Sequence, residues 1–113
     1  MDPADLMKPS DPRDKLYAFH LALTEEARRL CSRKNQDYAR GSDPFANFRL
    51  CEVMGLAPTS TGILIRLADK LRRLASLDGG EPVVDSEKVR DTVIDAINYL
   101  VIYTYVSDGA DKA

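Results

Sequence analysis

The 113-residue chain has no tryptophan, a single histidine and only two cysteines. It also lacks any uncharged run long enough to cross a bilayer. Its greasiest stretch, Ala96 to Val106, is about half of the ~20 residues a spanning helix needs. The opening residues, MDPADLMKPSDP, lack the basic segment and apolar run of a secretory leader. These absences point to the cytoplasm and to no membrane partner. Neither sign of charge dominates, since 16 Lys and Arg face 18 Asp and Glu. Binding to nucleic acid through phosphate neutralisation draws on a basic surplus, so no stable nucleic-acid binding is expected. Cys31 and Cys51 have no CxxC spacing and no histidine-rich surroundings, and read as buried free thiols rather than a disulfide or zinc site. The lone His20 flanks an apolar helix face and reads as packing. Strand-period alternation and hairpin turns are missing too.

What remains is an ordinary globular composition, 44% apolar and 30% charged, which argues against disorder. The length suits one domain with a modest core, which a second subunit would supplement. Residues 1–10 read as a loose arm, 11–107 as the folded domain and 108–113 as a polar tail. Asp11-Pro12 is a helix start, and Leu16, Phe19, Leu23, Ala27 and Leu30 follow at helical spacing until about Gly41. Asp43-Pro44 starts a short second helix with Phe45, Phe48 and Cys51 on one face and Gly55 as its stop. A third helix is predicted over Thr61 to Leu77, ended by Asp78-Gly79-Gly80. A fourth runs from the Asp85-Ser86 cap to about Val106. The expected fold is all-α, a bundle of three long helices and one short helix that works as an oligomer.

The fourth helix carries an anomaly. At 100° per residue, Glu87, Asp91, Asp95 and Asn98 share one stripe, while Val89, Val93, Ala96, Ile97 and Leu100 form an apparent core face opposite. Ile94, Val101, Ile102, Tyr103 and Tyr105 make the remaining sides apolar. Such a helix is buried on more than one side, and carboxylates on it are costly unless a cation neutralises them. Mg²⁺, which takes a few carboxylate oxygens together with water and phosphate, fits that need. The alternative is a solvated acidic edge.

On the third helix, Ile63, Leu64, Leu67, Ala68, Leu71, Leu74 and Ala75 make a broad apolar face. Arg66, Asp69 and Arg73 share the other side, with Lys70 beside them. Arginine forks suit phosphate oxygens and lysine supplies a point charge, although such a stripe is equally well a solvated face of local ion pairs. Lys34, Asn35, Asp37 and Tyr38, followed by Asn47 and Phe48, either hold a base or ribose or simply cap a helix and anchor a loop. Glu26, at the margin of the first apolar face, either joins the acidic site or pairs with an arginine.

Four ordered runs, KNQDY (34–38), DPFANF (43–48), RLADKLRRL (66–74) and DTVIDAINY (91–99), together resemble the nucleotide modification associated domain 1 family, common in phages and bacteria. The likeness spans roughly residues 15–105. More distantly the chain resembles the MazG-like all-α nucleoside triphosphate pyrophosphohydrolases, helical oligomers that bind Mg²⁺ through acids on two helices. Asp91 and Asn98 resemble the last acid of that family's ExxD motif and the asparagine after it. Lys88 stands where the preceding acid would be, with Glu87 one residue earlier, and Arg66-x-x-Asp69 replaces the second ExxE pair. The resemblance implies a Mg²⁺-dependent nucleotide pyrophosphohydrolase-like protein, or a nucleotide-sequestering relative without turnover. Asp69, Glu87, Asp91 and Asp95 are the expected metal ligands, with Asp69, Asp91 and Asp95 as catalytic carboxylates. Lys34, Asn35, Asp37, Tyr38, Asn47, Arg66, Lys70, Arg73 and Asn98 are the expected nucleotide contacts. A homodimer or homotetramer is expected, and a purely structural helical oligomer is the third reading.

Overall fold

The structure, a computed structural model, describes residues 11–38, 46–80 and 86–110, with side chains described for 11–33, 47–79 and 87–110. All regular structure in this set is helical: α1 (Pro12–Tyr38), α2 (Ala46–Val53), α3 (Thr59–Gly80) and α4 (Ser86–Ser107). No helix among the described residues is long and apolar enough to cross a membrane.

The helix ends follow from local chemistry. Asp11 caps α1: its Oδ1 accepts from the Arg13 amide at 2.9 Å, and Pro12 takes the first helical position, where no amide partner is needed. α2 ends in a glycine cap. Gly55 sits at φ 75°, its amide reaches the Glu52 carbonyl, and the Leu56 amide reaches the Cys51 carbonyl. α3 starts at Thr59, two residues before the expected Thr61, because Glu52 supplies the cap from outside the helix. Its two carboxylate oxygens accept from the Thr59 amide (3.4 Å) and hydroxyl (3.3 Å), placing negative charge at the helix's positive end. α3 extends to Gly80, three residues past the expected Leu77 and within the Asp78-Gly79-Gly80 stop.

α4 is the centre of the molecule. It packs against α1 on one side and α3 on the other, while α2 rests on α3; α1 and α3 do not pack together among the described residues. Arg90, Ile94 and Asn98, one turn apart, face α1: Arg90 binds Glu26, the Asn98 amide donates to the Ala27 carbonyl, and Ile94 between them is fully buried. Thr92 and Ala96 are buried, and Asp95 beside them reaches α3. The core also takes Ala27, Ile63 and Leu67.

The sequence-based core face of α4 therefore needs correction. Of its five residues Ala96 is buried, Val89, Val93 and Ile97 are only half-buried, and Leu100 is exposed. The buried flanks lie to either side of that strip, because two neighbouring helices grip α4 like bread around a filling. The same holds elsewhere. Leu64 and Leu71 of the α3 face, and Leu16 and Phe19 of the α1 face, are exposed. His20 is exposed rather than packed, and the free thiols Cys31 and Cys51 are half-buried.

Candidate functional site

The polar residues singled out on α3 and α4 do meet, at one point. Lys70 and Asp95 are both half-buried, and their Nζ and Oδ2 stand 3.1 Å apart across the α3–α4 seam. Burial of either charge alone would be costly, so each neutralises the other. Arg66 lies one turn before Lys70 and Arg73 lies three residues after it, both exposed. Asp69 and Asp91 are exposed as well. Glu87 is exposed in the first turn of α4, where a negative charge favours the helix dipole.

Arg66 is positioned by α2. Its guanidinium carbon lies 5.0 Å from the centre of the Phe48 ring, and its Nη2 donates to the Asn47 carbonyl at 3.5 Å. Phe48 in turn meets Tyr99 of α4 edge to face, with centroids 6.1 Å apart and planes at 85°. A cation over an aromatic face is attracted by the ring's negative centre. One end of the polar face is thus built from three helices. Tyr99 was invisible as a site residue in the sequence, since an aromatic on an already apolar helix gives no signal of its own.

The four expected metal ligands do not gather. Asp95 is turned to Lys70, and among the described residues no group of three or more His, Cys, Asp and Glu side chains is placed to hold an ion. Asn98 is used structurally, on the Ala27 carbonyl, and Glu26 binds Arg90 rather than joining the acids. Asn47 contributes its carbonyl to Arg66, while its exposed side chain faces away from the core. Lys34, Asn35, Asp37 and Tyr38 lie in the last turns of α1, and their side chains fall outside the described residues. Glu25 on α1 is held below its ordinary range by the hydrogen bond and charge of Arg28.

No family model matches the chain, and no curated protein or solved structure is similar to it.

Proposed function

We propose that this chain binds a phosphorylated small molecule of the nucleotide class along the cationic side of α3. The observation that carries the reading is Lys70, fixed at the α3–α4 seam by Asp95 with an exposed arginine on either side. From Arg66 through Lys70 to Arg73 the helix advances seven residue steps, about 10 Å at 1.5 Å per residue, enough to follow a di- or triphosphate. Arginine forks accept phosphate oxygens in pairs, and Arg66 is already oriented by Phe48 and the Asn47 carbonyl. The motif resemblance to nucleotide-handling families favours the same ligand class.

A second reading keeps turnover. Asp91 and Asp95 lie one turn apart on α4, and a Mg²⁺ entering with the nucleotide's phosphates would draw on them together with Asp69 and Glu87. Asp95 would then have to leave Lys70. Under either reading we place the protein in the cytoplasm as a homodimer or homotetramer. Support for self-association comes from the large apolar side chains left exposed on α1, α3 and α4.

Thermal stabilisation and product release, measured across a panel of nucleoside mono-, di- and triphosphates with and without Mg²⁺, test the proposal. Stabilisation by triphosphates without metal and without products is the expected result. Turnover that requires Mg²⁺ establishes the second reading, and no stabilisation by any nucleotide rejects both.

A further inference from the structure

Among the described residues, packing leaves the apolar strip of α4 between α1 and α3 open. Val93, Ile97, Leu100 and Thr104 succeed one another at spacings of four, three and four, the pattern two helices share along a common seam. Beside them, Ile97, Leu100, Val101, Thr104, Tyr105 and Asp108 line a shallow groove of about 510 Å³. α3 extends the same side of the molecule, for its Leu74, Ala75 and Asp78 share a second cavity with Val89 of α4.

The exposed surface has the size of an interface. Leu64, Leu71, Leu100, Val101 and Tyr105 are each between 42% and 60% exposed. Half-open side chains of this kind leave about 90 Å² apiece, and so together about 450 Å² of apolar surface. A stable pair covers about 800 Å² on each partner. In homodimers about 65% of that is apolar, so roughly 500 Å² is what such a face must offer.

We propose that a second copy of this chain covers this face, with the two α4 helices antiparallel about a two-fold axis near Asn98 and Tyr99. Ile97 then meets the partner's Leu100, and Val93 meets the partner's Thr104. Charge favours this direction. Asp108 stands just past the C-terminal end of α4, at one end of the seam. Antiparallel pairing places the two Asp108 carboxylates at opposite ends of the seam, whereas parallel pairing would set Asp108 against the partner's Asp108. The inference rests on the reading that the chain self-associates and is independent of the phosphate site, which lies on the other side of α4.

Sedimentation of the full chain at micromolar concentration should give twice the 12.6 kDa chain mass. Leu100→Lys should give the monomer mass. Leu56→Lys, at an exposed position on the turn after α2 and off this face, should stay dimeric. A monomeric wild type overturns self-association. A dimer that survives Leu100→Lys overturns this face alone. Crosslinking is independent of whether that variant folds. With Cys31 and Cys51 replaced by serine, Val93→Cys and Thr104→Cys chains should form a mixed disulfide, and neither should crosslink to itself, because like positions lie about 16 Å apart along antiparallel helices. Self-crosslinking by Thr104→Cys, or no mixed product, overturns the geometry.

Discussion

Arg90 sets two of its nitrogens, Nε at 2.9 Å and Nη2 at 2.6 Å, on a single oxygen of Glu26, 64 residues away in the chain. The guanidinium also lies 5.8 Å from the centre of the Phe19 ring, so one side chain ties two turns of α1 to α4. Both members of the pair are partly exposed, at 38% and 47%, so solvent screens much of their attraction. Arg90→Ala should lower unfolding free energy by about 1 kcal/mol, from the lost pair and the lost cover on Phe19. Urea denaturation at low and high salt measures it, and an unchanged midpoint would show that the contact contributes nothing.

At Gly62, α2 and α3 are in close contact. A Cβ there would stand 2.5 Å from the Cys51 sulfur, which is itself held between the Phe48 and Pro58 carbonyls at 3.5 and 3.7 Å. Gly62→Ala should therefore destabilise by about 1–3 kcal/mol despite alanine's better helix propensity. Adding Cys51→Ala should recover most of that loss. Additivity of the two changes in a thermal double-mutant cycle would refute the clash.

The cap on α3 predicts a graded pair of variants. Glu52→Ala leaves the Thr59 amide and hydroxyl without their acceptor and should cost about 1 kcal/mol. Glu52→Gln keeps one acceptor oxygen while losing the charge at the helix's positive end, so its cost should be the smaller. Equal melting temperatures for both variants would contradict this account of the helix start.

Asp95→Asn separates the two functional readings in opposite directions. Removing the charge beside Lys70 should tighten triphosphate binding several-fold if the lysine faces phosphate, and calorimetric titration reads this directly. The same substitution should abolish Mg²⁺-dependent turnover if Asp95 holds metal. Weaker binding with no turnover in either protein would reject the phosphate role of Lys70.

Among the described residues, helix number, type and the starts of α1 and α4 were legible because they depend on neighbours in sequence, while the Asp43-Pro44 start lies outside those residues. Asp11-Pro12 and Gly55 carry their own instructions, as does the periodicity of α3. The direction in which α4 buries itself was not legible. It is apolar on three sides, and the choice among them is made by Glu26 and the Ala27 carbonyl, 64 and 71 residues distant. The cap on α3 was missed for a related reason: Thr59 and Ser60 look like ordinary start residues, while the acceptor comes from Glu52 in the preceding helix. On the candidate site, the polar stripe of α3 was correctly read as one face, and Lys70 and Asp95 do meet. Asp95 is paired across the seam with Lys70 while Asp69, Glu87 and Asp91 are exposed, an outcome that stripe geometry on a single helix does not contain.

Since α1 and α3 each lean on α4 and not on one another, the two attachments have separate fates. α3 and α4 follow each other in the chain and form a hairpin at small loop cost, whereas α1 must close a loop of more than sixty residues to reach Arg90. Hydrogen exchange should accordingly find a two-tier molecule, in which α1 peels away and uncovers Ile94 while the hairpin stays shut.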